Sequence, residues 1–260
     1  MMPSAVNLIR SLLPAVVAAL SFCGVVFAFT ALQFDAEVSW NVTRANGAVS
    51  AWVSTRGGVA AAPCHTNGGG WASPQYSGGM VDFSATGGVA SPLSFAQTET
   101  GLVSRAFIVA DGAASPLATL LDAPCPLRLL PADGDEAVHF ATSSVLSSVA
   151  LSIDFAPSTE FSPGPHVYEI ELASPCPLRD LYLGGNPATP MWHRGWNGSV
   201  REVIFVSPSA TAADAAVIRA YLSKRWGTGR YRSGVADERA TLHSLGIRTG
   251  GVYGSALILR

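Results

Sequence analysis

Apolar and polar residues alternate in short segments along most of the chain. The alternation has a period of two, which places successive side chains on opposite faces of a strand. Glycine, proline and serine separate the segments and mark turns. We expect strands at residues 49–53, 80–83, 102–109, 117–121, 137–140, 145–155, 166–172, 181–183 and 200–206. So many short strands predict an all-β fold, either a sandwich or a barrel.

One segment near the carboxyl end has the period of a helix instead. Thr211 can cap its first turn, with Asp214 three residues on as a short capping box. Gly227 stands where a helix commonly ends. Its apolar residues share one helical face: Val217, Ile218, Tyr221, Leu222 and Trp226. We expect this helix to pack on the sandwich.

The tail, residues 228–260, is the most charged stretch of the chain. Residues 236–245 have the pattern of a short helix ended by Gly246, and residues 252–259 that of a final strand. Two interpretations are open: the tail joins the sandwich, or it serves as a docking segment.

The amino-terminal residues 1–28 have the pattern of an export signal. Arg10 is the only charged residue before Asp35, and residues 12–32 are mostly Ala, Val, Leu and Phe. One positive charge followed by an apolar run is typical of a signal peptide, here with cleavage after Ala28. The run is also long enough for an uncleaved membrane anchor. Either outcome predicts an extracytoplasmic protein, secreted, periplasmic or at the cell surface, that meets a membrane only through this segment.

Composition narrows the class of protein. The 260 residues carry 16 basic and 18 acidic side chains, so the formal net charge is −2 and the chain lacks the basic character of a nucleic-acid binder. The hydrophobic content of 48% excludes a disordered protein. Only 13% of residues are charged, about half the usual share, which suits an exported β-protein.

The cysteines leave the disulfide pattern open. Cys23 lies in the export segment, and Cys64, Cys125 and Cys176 remain. The last two share the sequence Pro-Cys-Pro-Leu-Arg, and we expect a Cys125–Cys176 disulfide in an oxidising compartment. Three buried or free thiols are the alternative. The sequence holds no CxxC pair that would indicate a zinc site.

Three successive motifs carry a family resemblance. Residues 181–185 read Leu-Tyr-Leu-Gly-Gly, residues 196–206 contain Trp-Asn-Gly-Ser before a strand with a Glu, and residues 221–227 read Tyr-Leu-Ser-Lys-Arg-Trp-Gly. This order resembles the end of a laminin-G-like, concanavalin A-like lectin/glucanase domain of the bacterial secreted type. The family's Asp soon after the first Trp is absent here, and Ser54 and Thr55 stand near that place.

The resemblance extends weakly back to residue 35 and implies a jelly-roll sandwich of two antiparallel sheets over residues 35–227. Such domains are usually binding or adhesion modules, often for glycans and sometimes with a Ca²⁺ ion on the rim. Trp196 takes the family's packing position in the core. Glu202 matches a position that the family keeps in its last strand, and we expect a structural hydrogen-bonding role for it.

Two loops carry residues suited to sugar binding. An aromatic ring can stack on the apolar face of a pyranose, while amide and guanidinium groups hydrogen-bond its hydroxyls. The expected ligand-binding residues are Asn186, Trp192, His193 and Arg194 in one loop, and Trp71 and Tyr76 in a second, Gly/Pro-rich loop. Trp192 could instead cap the edge of the sandwich.

Catalytic motifs are weak. A glucanase on this fold needs two Glu and an Asp on one strand face. Of the glutamates, only Glu169 and Glu171 are two residues apart, the spacing that puts two carboxylates on the same face, and they lack the Asp. We interpret them as a solvent-facing pair. The sequence has no Gly-x-Ser-x-Gly motif, and its five histidines are scattered without forming a pair. We expect each of them to be a surface residue or a hydrogen-bonded strand residue: His65, His139, His166, His193 and His243.

The densest acidic cluster is a candidate cation site. Asp133, Asp135 and Glu136 surround a glycine turn, and carboxylates two residues apart can share a hard ion such as Ca²⁺. A solvated turn is the alternative.

The sequence therefore predicts a non-catalytic, exported module that binds a carbohydrate or an extracellular protein. Its expected organisation is an export segment (1–28), a laminin-G-like domain (35–227) and the tail (228–260). A structural component of an envelope or appendage assembly is the first alternative, and a glycoside hydrolase the second.

Overall fold

The computed structural model describes residues 29–65, 71–84, 89–113, 118–122, 127–131, 138–142, 150–185 and 195–250. The strands in these residues are β1 (Ala31–Asp35), β2 (Val42–Ala45), β3 (Ala48–Val53), β4 (Ala60–Pro63), β5 (Trp71–Ala72), β6 (Gln75–Ser77), β7 (Met80–Asp82), β8 (Val89–Ala90), β9 (Leu93–Phe95), β10 (Leu102–Gly112), β11 (Thr119–Asp122), β12 (Leu127–Pro131), β13 (Val138–Thr142), β14 (Ala150–Ile153), β15 (Ala156–Pro157), β16 (His166–Pro177), β17 (Tyr182–Leu183) and β18 (Gly198–Val206). The helices are α1 (Ala212–Trp226) and α2 (Glu238–Leu245), with 3₁₀ turns at Ser39–Asn41 and Leu178–Asp180.

Sixteen of these strands form one hydrogen-bonded sheet whose pairs are all antiparallel, while β5 and β8 form a parallel pair. The sheet runs in the order β13-β12-β11-β17-β9-β4-β3-β6-β7-β18-β10-β16-β14-β15. It divides where β3 meets β6 through a single residue pair, Ala48 with Gln75. The two halves enclose one core, so the fold is all-β and sandwich-like, as the sequence predicts.

The long central strands explain how one sheet half builds two apolar faces. In β10, Ala106 and Ile108 point into the core between the halves, whereas Phe107 and Val109 point to the outer face. β10 lies between β16 and β18, and all three alternate in this way. A strand buried on both faces has a nearly continuous apolar sequence, as residues 106–110 of β10 and 203–206 of β18 do.

Aromatic rings fill the centre of the inner core. Phe34 makes edge-on contacts with Trp52, Phe95 and Phe205, at ring-centroid distances of 5.8, 5.7 and 6.2 Å. These rings come from β1, β3, β9 and β18, so they tie both halves of the sheet together. Each such pair contributes about 1 kcal/mol beyond the burial of its area.

Helix α1 covers the outer face of the β10–β16–β18 half. Thr211 Oγ1 accepts a hydrogen bond from the backbone of Asp214, whose carboxylate accepts one from the backbone of Thr211. Gly227 ends the helix in the left-handed conformation, with φ 67°. The helix, its capping box and its terminal glycine are confirmed as predicted.

Helix α2 packs beside α1 on the same face. Asp237 caps it, and Gly246 ends it. Leu242 and Leu245 are buried in the apolar cluster that the outer strand face shares with α1. The predicted short helix is therefore confirmed. After it, Arg248 reaches the sheet, where its backbone N–H donates to Gln33 Oε1 of β1 at 2.8 Å. The expected strand at 252–259 lies outside the described residues.

The first described strand begins inside the apolar run that the sequence assigns partly to export. β1 pairs with β18, from Ala31 opposite Val206 to Asp35 opposite Glu202. Cleavage after Ala28 would leave this strand whole. Residues 1–28 lie outside the described residues, and neither helix of the described chain has the length and apolar content that crossing a membrane requires.

Candidate functional site

A groove with a volume of about 630 Å³ runs along the strands β3, β4 and β6. We call it the Trp71 groove. Ser50 of β3 and Ala62 of β4 line it, as do Ser73 and Gln75 beside Trp71. Alanine dominates β4, so small side chains leave an open channel above this part of the sheet.

The β2–β3 hairpin forms one end of the groove. Its turn is Asn46-Gly47, with φ of 53° and 82° at the two residues. Positive φ at both positions is the geometry of a type I′ turn, for which Asn-Gly is the preferred sequence. A Cβ on Gly47 would lie 3.2 Å from Gln75 Oε1, so the glycine also allows β6 to approach the hairpin closely.

Trp71 forms the aromatic wall of the groove. The His65 ring stacks on it with a centroid distance of 4.5 Å and an interplanar angle of 16°. This stacking limits the rotation of the indole, which is half-buried. A rigid, partly exposed ring costs little conformational entropy when a ligand packs on it.

The groove has polar groups but no net charge. None of the described residues that line it is charged, and Asn46, Ser50, Ser73 and Gln75 supply amide and hydroxyl groups. The Gln75 side chain donates to the Ser73 carbonyl at 3.2 Å, which keeps its own carbonyl oxygen available as an acceptor. The arrangement suits a neutral, hydroxyl-rich ligand better than an ion.

Tyr76, the second predicted ligand residue of this loop, does not line the groove. Its hydroxyl donates to the Ala36 carbonyl at 2.8 Å, and the Arg44 guanidinium lies 4.6 Å from the ring centroid. The ring packs against the inner core. In this structure Tyr76 holds β6 against the chain after β1.

The other predicted site residues lie outside the described ranges. These are Asn186, Trp192, His193 and Arg194 of the second loop, Asp133, Asp135 and Glu136 of the cation site, and Cys125 of the disulfide. Cys176 is buried at the end of β16. In the part of the chain that the structure describes, no three His, Cys, Asp or Glu side chains come together as a metal site would need.

Glu202 has the structural role that we expect from its sequence position. It is fully buried between β18 and α1 and accepts hydrogen bonds from Gln33 at 2.6 Å and Trp226 Nε1 at 2.7 Å. Arg225 reaches both Glu202 and Asp35, at 3.3 and 2.8 Å. We call these five residues the Glu202 cluster. Burial raises the pKa of Glu202 to about 6.

The interpretation of Glu169 and Glu171 as a solvent-facing pair is wrong for Glu169. Its side chain is 6% exposed, against 56% for Glu171. Arg105 of β10 and Arg219 of α1 both bind its carboxylate, with Arg105 Nη1 at 2.8 Å. The helix covers this strand face, and the two arginines compensate the buried charge.

Asp154, Ser162 and His166 come together at the rim of the sandwich, and we call them the rim cluster. Ser162 Oγ lies 2.8 Å from His166 Nε2, and His166 Nδ1 lies 2.7 Å from Asp154 Oδ2. His166 is a hydrogen-bonded strand residue, as predicted. Its partners were not predicted, because no motif surrounds the serine.

Trp196 lies in the core, as predicted. It is 1% exposed, and its indole nitrogen donates to the Asp111 carbonyl at 3.1 Å. The ring passes so close to β10 that a Cβ on Gly112 would lie 2.5 Å from it.

No family model, curated protein or solved structure matches this chain. The likeness to laminin-G-like domains therefore stays a prediction from the motifs in residues 181–227.

Proposed function

We propose that this protein is an exported or surface-anchored binding module of the laminin-G-like, jelly-roll type, and that the Trp71 groove binds a neutral carbohydrate. The two-layered antiparallel sheet supports the jelly-roll part of the proposal. The apolar pattern of residues 1–28 supports export.

The groove's uncharged lining, with one fixed indole, is the observation that carries the proposal. Trp71 offers a flat apolar face, and Asn46, Ser50 and Gln75 lie within the same groove with donors and acceptors. Binding sites for small molecules combine apolar walls with a few placed polar groups in this way. A neutral sugar matches the lining because it has apolar ring faces and hydroxyls but no charge.

The glycoside hydrolase alternative has little support from Glu169 and Glu171. A retaining hydrolase needs one carboxylic acid that donates a proton and one free carboxylate. Here Arg105 binds both carboxylates, at 2.8 Å each, and α1 covers Glu169. Both carboxylates are therefore held by an arginine instead of facing an open cleft where a sugar could lie between them.

A glycan array tests the proposal with a matched pair of tryptophan variants. We expect the wild-type protein to bind a subset of neutral glycans. Trp71→Ala should lose at least about tenfold in affinity, because it removes the aromatic wall of the groove; tenfold corresponds to about 1.4 kcal/mol of binding free energy. Trp40→Ala is the control, because Trp40 is 76% exposed and does not line the groove.

The outcomes separate the competing functions. Binding that survives Trp71→Ala but not Trp40→Ala would contradict the groove as the site. Failure of the wild-type protein to bind any glycan would favour the structural-component alternative or a protein partner.

A further inference from the structure

The rim cluster has the hydrogen-bond pattern of a nucleophile, a base and an orienting acid. An ionised carboxylate can only accept hydrogen bonds, so Asp154 accepts from His166 Nδ1–H. In the neutral ring the opposite nitrogen, Nε2, then has a lone pair. This nitrogen accepts a hydrogen bond from the Ser162 hydroxyl at 2.8 Å. This is the tautomer that a general base next to a serine requires.

The position of Asp154 is held from two sides. Its Oδ1 accepts a hydrogen bond from the backbone of Val167 at 3.0 Å, while Oδ2 binds the His166 ring. The strand β16 therefore holds both the carboxylate and the imidazole that it orients. Orientation of the base by a fixed acid is the second requirement of such a site.

The turn that presents Asp154 is strained. Asp154 and Phe155 join β14 to β15 with φ of 49° and 69°. Asn-Gly is the usual sequence for such a turn, and a bulky residue in this conformation costs on the order of 1 kcal/mol or more. Strained backbone that the surrounding structure maintains is concentrated at functional sites.

Ser162 is exposed in the loop between β15 and β16, and there is open space beside Gly164, two residues further on. Pro163 and Pro165 have no N–H, so only Ser162 and Gly164 carry a backbone N–H within residues 162–165. Gly164 has φ of 110°, and a Cβ built on it would meet no atom within 4 Å. A substrate can therefore reach the exposed Ser162 hydroxyl from solvent.

We propose that the rim cluster is a serine hydrolase site for small carboxylic esters. Ser162 Oγ forms a bond to the ester carbonyl carbon while His166 Nε2 takes the hydroxyl proton. The bond from that carbon to the alcohol oxygen then breaks, and the alcohol leaves with the proton from His166. Water attacks the acyl-serine by the same route, which releases the carboxylic acid and restores Ser162. This activity does not depend on sugar binding in the Trp71 groove.

The test uses two readouts on the full chain. Hydrolysis of p-nitrophenyl acetate measures turnover, and a fluorophosphonate probe with peptide mapping identifies the labelled serine. We expect labelling at Ser162 and a loss in kcat/KM of at least about 100-fold in both Ser162→Ala and Asp154→Asn. Ser174→Ala, which alters an exposed serine on β16, should keep wild-type activity.

The alternative is that these hydrogen bonds only hold the loop against the sheet. In that case Ser162→Ala would lower the melting temperature, and the wild-type protein would neither be labelled at Ser162 nor hydrolyse the ester faster than Ser162→Ala does. That result would overturn the proposal. If Ser162→Ala does not fold, the site of labelling in the wild-type protein decides between the two.

Discussion

Glu202 shows how a single buried carboxylate connects three elements. Gln33 of β1 and Trp226 of α1 donate to it, and Arg225 supplies the compensating charge. Removal from water still disfavours the ionised form more than these partners favour it, so the pKa rises to about 6 from an ordinary value of 4.5. The group therefore links folding to pH.

Because the pKa of Glu202 is raised in the folded state, the stability of the protein should fall as the pH rises. A carboxylate whose pKa is higher in the folded state stabilises the fold fully below about pH 4.5, and this contribution is lost as the pH rises through about 6. We expect the stability of the wild-type protein relative to Glu202→Gln to fall by about 2 kcal/mol between pH 4 and pH 7. Denaturant unfolding of both proteins at several pH values measures this difference in the free energy of unfolding.

The control for this prediction is Glu160→Gln, at an exposed carboxylate. Its stability relative to the wild-type protein should hardly change over the same pH range. A pH-independent difference for Glu202→Gln would show that Glu202 ionises normally in the folded state.

Gly112 lies against the Trp196 ring, where a larger residue would not fit. Because its Cβ would lie 2.5 Å from the Trp196 ring, Gly112→Ala must displace a core tryptophan. We expect a loss of about 1–3 kcal/mol in the free energy of unfolding, with altered tryptophan fluorescence. Ala113→Ser, at the next and exposed position, should cost less than about 0.5 kcal/mol. Equal small losses in both variants would contradict the packing described here.

At the scale of elements, local chemistry made some features predictable and others not. Helix α1 could be predicted because its cap, apolar face and terminal glycine are all close together in the sequence. The burial of Glu169 could not be predicted, because its partners Arg105 and Arg219 lie 64 and 50 residues away along the chain. β1 was obscured because its apolar residues continue the run assigned to export.

The outer apolar cluster makes the tail part of the folded structure. Leu242 of α2 is fully buried there, whereas Leu102 at the start of β10 is 46% exposed. We expect Leu242→Ala to cost about 2–4 kcal/mol of unfolding free energy and Leu102→Ala less than about 1 kcal/mol. Denaturant melts of the two variants measure the difference. Similar small losses would favour the docking-segment interpretation of the tail.

At the scale of the whole molecule, the sequence predicted the fold class better than the sites. Alternating strands and turn residues identified an all-β protein, because these signals repeat throughout the chain. The sites depend on contacts between distant segments: the β2–β3 turn meets Trp71 and Gln75 in the groove, and Asp154 meets His166 twelve residues away. Residue type alone indicated Trp71, but nothing local indicated its stacking on His65.

The Trp71 groove and the rim cluster lie on different parts of the sheet. The groove follows β3, β4 and β6, whereas the rim cluster belongs to the β14–β15 turn and the start of β16. These strands stand far apart in the sheet order. The two proposed activities can therefore be tested separately, by variants that leave the other site intact.

Mapping the sugar site by nuclear magnetic resonance tests the central claim most directly. A neutral glycan selected from the array is titrated into the labelled protein while backbone amide shifts are followed. The Trp71 groove predicts shifts concentrated at residues 45–50, 62–63 and 71–75. Shifts that avoid these residues and appear instead at residues 186–194, the loop with Trp192, would contradict the groove as the binding site.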